Sequence, residues 1–278
     1  MDKTVVITGG SSGIGSATAI NLAQNGYKVK MVCRNPVKGE LVREGVSSDI
    51  NKMIEVIEGD LGTIISIKKV TSSIKSSIGG IAIFIHNAAI WPTKLEINED
   101  GLEKSFVVNH LAPFIINHIL HDVFKDNGTR VVQVSAGLYR NGKTNYDAAA
   151  TGSNFSKFST YATTKLLNLI TTLRFAELWK DDGIIVNAIH PGVVKTNLLG
   201  NSKDLFGLMS AFFKTFFISP QDGSLPVIKL ASNFDSSLTG KYYNRYEMEE
   251  LRLIATDPQL CEDVWNQASK LARIEDAR

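Results

Sequence analysis

Tyr161 and Lys165, in the stretch STYATTKLLN, stand four residues apart. On a helix that spacing places both on one face. A phenol titrates near pH ~10, too high for efficient acid–base work at neutral pH. A neighbouring ammonium favours the phenolate and lowers that value. The pair could pass a proton to or from a substrate oxygen, and the lysine could also hydrogen-bond a ribose. The spacing alone arises easily by chance, so its weight depends on what else the chain carries.

A second candidate opens the chain: TVVITGGSSGIGSATAINLAQ. An apolar run, Val5 to Ile7, meets Gly9, Gly13 and Gly15, and an apolar periodic stretch follows. The spacing differs from the common G-x-G-x-x-G fingerprint. A strand that ends in glycine and feeds a helix leaves backbone N–H groups free at the positive end of the helix dipole, which attracts phosphate. Glycine also lets the backbone approach a pyrophosphate and lets helix and strand pack closely. An ordinary strand–helix turn, with glycine only for φ > 0, is the alternative. The second strand ends VCRN. A carboxylate that receives a ribose 2′-hydroxyl stands about 20 residues beyond the glycines in NAD-binding folds. Here Arg34 and Asn35 occupy that place. A guanidinium binds a 2′-phosphate that a carboxylate would repel. Ser11 and Lys38 could add contacts, and a solvated surface charge is the alternative for Arg34.

These groups need a frame. Strands are expected at 4–8, 28–33, 53–58, 81–85, 129–135, 184–189 and 240–243, with helices near 13–25, 36–48, 63–77, 99–125, 159–180 and 219–231. The strands are rich in Val and Ile with little polar alternation, which suits a sheet buried on both faces. Alternating β and α elements predict a single α/β domain over 1–278, a doubly wound parallel sheet with helices on both faces. The polar stretch 141–158 reads as a long loop, and 248–278 as a charged C-terminal helix. A formal net charge of +2, with no run of Lys or Arg, excludes an electrostatic footprint for nucleic acid. Two cysteines, Cys33 and Cys261, make no disulfide framework and point to reduced thiols. A first strand near residue 4 leaves no room for a signal peptide, no apolar stretch reaches the ~20 residues of a membrane span, and a cytoplasmic location is expected. His118 and His121 lie three apart, but no acidic or cysteine cluster supports a metal, so none is expected. Cys33, at a strand end, reads as a packed thiol.

Taken in order, the motifs resemble the short-chain dehydrogenase/reductase family over nearly the whole chain. Thr8-Gly9-x-x-x-Gly13-x-Gly15 is similar to its cofactor turn, implying contacts from Gly9, Ser11, Ser12, Gly13, Ile14 and Gly15. Asp60-Leu61 stands where the family contacts adenine, and His86-Asn87-Ala88-Ala89 where it commonly has Asn-Asn-Ala-Gly. Asn109 in VVNHLAPF, Ser135 in VVQVSA, and Tyr161-x-x-x-Lys165 match its catalytic groups. Pro191, Gly192, Val194 and Thr196 match the segment at the nicotinamide end. CRNPVKGE and EDGLEKSFVVNHLAPF are most similar to the retinol-dehydrogenase-like branch, with His86, Ala89 and Ala112-Pro113 as departures.

The resemblance implies a Rossmann-type fold and hydride transfer between NADP(H) and a carbonyl or alcohol. It also implies roles. Tyr161 would move the proton, Ser135 hydrogen-bond the substrate oxygen, Lys165 hold the ribose and lower the Tyr161 pKa, and Asn109 position a water. By family position, 197–218 forms a substrate lid. DLFGLMSAFFKTFFISP, 204–220, is rich in Phe, so the expected substrate is lipophilic: retinoid-, steroid- or xenobiotic-like. Peripheral contact with lipid and a buried core helix are the other readings of that segment. Pairing through the two long helices into a homodimer or tetramer is implied too, since 106–124 is apolar on most faces and the surplus needs a cover. A non-catalytic NADP(H)-sensing regulatory protein on the same fold is the alternative, and the intact Ser135, Tyr161 and Lys165 argue against it.

Overall fold

The computed structural model describes residues 3–193, 218–233 and 237–274. Strand β1 (Thr4–Thr8) is buried along its whole length. Val5 and Ile7 pack into one apolar layer and Val6 into the other, which is why the strand shows no polar alternation. The same division holds in β4 (Ile83–His86), where Ile83 and Ile85 face one layer and Phe84 the opposite one. The remaining strands are β2 (Lys28–Cys33), β3 (Ile54–Glu58), β5 (Arg130–Val134), β6 (Ile185–His190), β7 (Tyr242–Asn244) and β8 (Glu247–Glu249). They form one sheet in the order β3-β2-β1-β4-β5-β6-β7-β8, parallel through β7 and antiparallel at β8. The order reverses between β1 and β4, and the crevice beyond the carboxyl ends of such strands is where this architecture binds ligands.

Helices α1 (Gly13–Gln24), α2 (Pro36–Glu44), α3 (Ser48–Asn51), α4 (Ile64–Ser77), α5 (Lys104–Phe106), α6 (Ala112–Asn127), α7 (Tyr146–Thr151), α8 (Lys157–Leu178), α9 (Pro220–Ser232) and α10 (Pro258–Ala272) connect and cover the strands. Helix α1 packs with α9 on one face, and α4, α6 and α8 cover the other. Their starts carry recognisable caps. Asn35, Ser219 and Asp257 each accept a backbone N–H three residues on, and each is followed by proline.

Three expectations are corrected. The helix expected over 99–125 begins only at Lys104, because the Asn98 side chain folds 98–102 into a turn by accepting the N–H groups of Asp100 and Leu102. The loop expected over 141–158 contains α7, whose N-terminus is capped by Asn145. The C-terminal helix expected over 248–278 is confined to Pro258–Ala272, preceded by β8 and a 3₁₀ turn at Leu253–Ala255. Most of the lid expected over 197–218 lies outside the described residues.

The apolar surplus of 106–124 has a cover within the chain. Helix α10 lies on α8, with Trp265 edge-on to Phe114 and Phe175 at ring-centroid distances of 5.0 and 4.9 Å. Leu260, Val264, Ala268 and Ala272 are buried beside it. Each large apolar side chain so buried contributes on the order of 2 kcal/mol. With α10 in that place, the apolar surplus of 106–124 is covered without a second copy and no longer argues by itself for the expected homodimer or tetramer.

Candidate active site

The turn after β1 is shaped by its glycines. Gly9 and Gly13 are left-handed, at φ 69° and 57°, where side chains are strained. A Cβ on Gly15 would overlap the Gly9 carbonyl oxygen and the Asn87 amide. Asn87 pins the turn: its Nδ2 donates to the carbonyls of Thr8 (2.9 Å) and Gly9 (3.1 Å). The Thr8 hydroxyl accepts the N–H groups of Asn87 and Ala88, both at 3.1 Å. Ser12 caps α1 with no side-chain hydrogen bond, and no acid stands in the first helical turn. The start of this twelve-residue helix thus keeps its positive character, next to a backbone that a side chain would obstruct. A dinucleotide pyrophosphate fits such a cradle. Ser11 instead turns its hydroxyl to Cys33, whose thiol is pushed up to about 11 by burial.

Arg34 and Lys38 stand exposed past β2 with no ion-pair partner among the described residues. Asp60 is exposed, its carboxylate accepting the Gly62 N–H at 3.0 Å, and Leu61 is buried. Pro191 is buried, and Gly192, at φ 100°, lies so close to Ile218 that a Cβ would meet its Cδ1 at 2.9 Å. Val194 and Thr196 lie outside the described residues.

At the other end of the crevice, Ser135 follows β5. Its N–H donates to the Ile189 carbonyl at 2.8 Å, while its hydroxyl is buried with no partner among the described residues. Tyr161 and Lys165 lie on α8, both buried. The Lys165 ammonium donates to the Val134 carbonyl at 3.1 Å and sits 5.8 Å from the Tyr161 ring centroid. The fold therefore brings the strand-end serine beside the helical pair. Electrostatics depart from the expectation that the ammonium lowers the phenol. Burial raises the Tyr161 phenol above its ordinary value and lowers Lys165 to about 8. Desolvation exceeds the attraction, because both groups lose water while the lysine spends a hydrogen bond on Val134.

Asn109 lies in a π-helical turn, Val107–Leu111, between α5 and α6. Such turns recur at functional sites. Its side chain does not stand free to hold a water as a donor. Nδ2 donates to the Ile90 carbonyl (2.9 Å) and the Thr164 hydroxyl (3.0 Å), and Oδ1 accepts the Ile90 N–H (2.8 Å).

The short chain dehydrogenase family model matches residues 3–205. The chain belongs to the short-chain dehydrogenase family. It is 33% identical to human (Homo sapiens) retinol dehydrogenase 14 over 287 residues, covering 95% of this chain and 84% of that one. Two solved structures share the short-chain dehydrogenase fold. One is a Brucella melitensis 3-ketoacyl-(acyl-carrier-protein) reductase complexed with NADH (TM-score 0.66, 22% identity, 88% and 98% covered). The other is a blue fluorescent protein from a metagenomic library in complex with NADPH (TM-score 0.69, 20% identity, 88% and 97% covered).

In this short-chain dehydrogenase the departure at His86 is absorbed by the core. His86 is buried, donates from Nε2 to the Asn117 side-chain Oδ1 at 2.8 Å, and is lowered to about 4 by burial. His121 pairs with Asp182 at 2.8 Å, and His118 packs among Phe114, Phe175 and Trp265. Two residues at the site escaped the sequence reading. Thr164 links Asn109 to α8 by donating to the Tyr161 carbonyl at 2.9 Å. Trp91 stacks on Tyr161 with ring centroids 4.2 Å apart and planes 9° from parallel. An aromatic next to proline, four residues past Asn87, was the signal available. No helix among the described residues is long and apolar enough to cross a membrane.

Proposed function

We propose that the protein is an NADP(H)-dependent oxidoreductase that interconverts an apolar carbonyl compound and its alcohol. One observation carries the reading: a buried serine hydroxyl with no partner among the described residues, at the end of β5 beside a buried Tyr–Lys pair. An orphaned buried hydroxyl is costly unless a ligand oxygen completes it. NADP(H), when bound, supplies or accepts the hydride. Ser135 donates to the substrate oxygen and holds it beside Tyr161. Tyr161 gives that oxygen its proton in reduction and takes it back in oxidation. The phenol is protonated at neutral pH, as a donor requires, and burial moves it further in that direction. Lys165 holds the ribose. Asn109 acts on the site through the backbone it fixes at Ile90.

Arg34 supports the preference for the 2′-phosphorylated dinucleotide. Fold neighbours carry both NADH and NADPH, so the discriminating group is local. Arg34→Asp is expected to raise the Kd for NADPH by about tenfold or more, the size of one lost charge-assisted hydrogen bond, and to favour NADH. Titration of both dinucleotides checks it, and unchanged NADPH affinity counts against the assignment. The relative named retinol dehydrogenase and the phenylalanine-rich composition of 204–217 support an apolar substrate. A screen of NADPH consumption against apolar aldehydes, ketones and quinones tests the function as a whole. Its failure across all three classes would sink the reading.

A further inference from the structure

We propose that Trp91 is a positioning residue for the reaction: it fixes the plane of the Tyr161 ring and keeps water from one of its faces. The proposal rests on Tyr161 being the proton-transferring group. Its own support is geometric. The indole lies 4.2 Å from the phenol ring and within 9° of parallel, a stack that blocks rotation of the phenol about its side-chain bonds. The indole is itself held. Its Nε1–H donates to the Lys157 carbonyl at 2.6 Å, one turn before Tyr161 on α8. Phe158 flanks it at 6.3 Å.

The backbone that carries the indole is fixed as well. Asn109 takes both polar groups of Ile90, accepting its N–H and donating to its carbonyl. The same amide donates to Thr164, which donates to the Tyr161 carbonyl. Pro92 restricts the Trp91 backbone from the other side. Asn109, Ile90, Trp91, Tyr161 and Thr164 therefore close a ring of contacts around the phenol. A hydroxyl that must meet a substrate oxygen along one direction gains from a ring that cannot turn. A proton moves to substrate rather than solvent when that ring is dry.

The titratable groups around the phenol are few. Lys165 is on its own helix, Lys157 begins that helix, and His190 at the end of β6 interacts with Lys165. The segment from Asn87 to Thr93 carries none. A pH profile that moves when the indole is removed therefore reports the phenol's solvation.

Alcohol oxidation should be followed from pH 6 to 10 for wild type, Trp91→Ala and Trp91→Phe, with folding checked by circular dichroism. Trp91→Ala is expected to lower kcat by about ten- to a hundredfold, as misplacement of a reacting group does. The rise of kcat with pH should begin at lower pH than in wild type, as water reaches the ring and relaxes the phenol towards the ordinary tyrosine value. Trp91→Phe keeps a stacking ring and should recover most of both. If the alanine variant does not fold, Trp91→Leu, which keeps apolar volume without a flat face, takes its place with the same expected loss of kcat. A change confined to KM, or kcat and its pH profile both matching wild type, would overturn the proposal. Tyr161→Phe, assayed in parallel, separates the two levels. Should it stay active, the catalytic assignment fails. Should it be dead while the Trp91 variants match wild type, only the brace fails.

Discussion

Tyr161→Phe is expected to lower kcat for carbonyl reduction by about 10²- to 10⁴-fold, the range in which one positioned proton donor contributes. The Kd for NADPH should stay within about twofold, because the phosphate cradle lies at Gly9 to Gly15 and is pinned by Asn87, away from the phenol. Phenylalanine keeps the ring that stacks on Trp91, so the fold and the brace persist and only the transferable proton is lost. Steady-state kinetics on the best aldehyde from the screen, with fluorescence titration of NADPH, gives both numbers. Near-normal kcat in this variant would remove Tyr161 from its assigned role. A loss of NADPH affinity equal to the loss of rate would mean that the phenol serves binding instead.

The second large effect concerns acid. His86, His118 and His190 are lowered to about 4, and His110 to about 3, in each case chiefly by burial. Neither ring nitrogen of His110 has a partner among the described residues. An unfolded histidine titrates near its ordinary value of about 6.5. Between that value and the folded values the unfolded chain binds more protons, so stability falls as pH falls. Full stability is present above about pH 7, and the loss runs from about pH 6.5 to 4. At pH 5 each neutral buried histidine costs on the order of 2 kcal/mol, and together they rival the whole net stability of a domain, about 5–15 kcal/mol. The melting temperature should be nearly flat from pH 8 to 7 and drop steeply below pH 6. His118→Phe, placed among Phe114, Phe175 and Trp265, should narrow the difference between pH 7 and pH 5. A melting temperature that held down to pH 4.5 would contradict this account.

The frame of the molecule was legible because its strands are apolar on both faces. Val5, Val6 and Ile7 announce a central parallel strand without any partner in view. Ser135, Tyr161 and Lys165 were picked out through motif order, and the Lys165–Val134 hydrogen bond sets α8 against the end of β5, next to Ser135. What escaped depends on tertiary placement. The π-helical turn at Asn109 was missed although Pro113, four residues on, cannot donate to the Asn109 carbonyl, and the side-chain bonds from Asn109 to Ile90, nineteen positions away, are not visible in sequence. Strand β8 has three residues, Glu247 to Glu249, and exists only because β7 presents an edge to it. The Tyr161 phenol was expected to be lowered by its lysine. Burial governs it instead, and burial is a property of the finished core. The surplus on 106–124 was read correctly as needing a cover, but the covering helix is α10.

The pins of the glycine turn also order the birth of the site. Asn87 and Ala88 bind Thr8 and Gly9 across 78 to 80 positions of sequence. A ribosome-bound chain therefore displays the glycine turn long before it displays the anchor. Strand β4 must emerge and settle between β1 and β5 before Thr8 and Gly9 acquire these partners. Loop closure over such a span precedes any reward from the contacts it enables. Capture of a dinucleotide is accordingly a late step of biogenesis, and cellular cofactor can rescue only chains in which the central strands have already assembled.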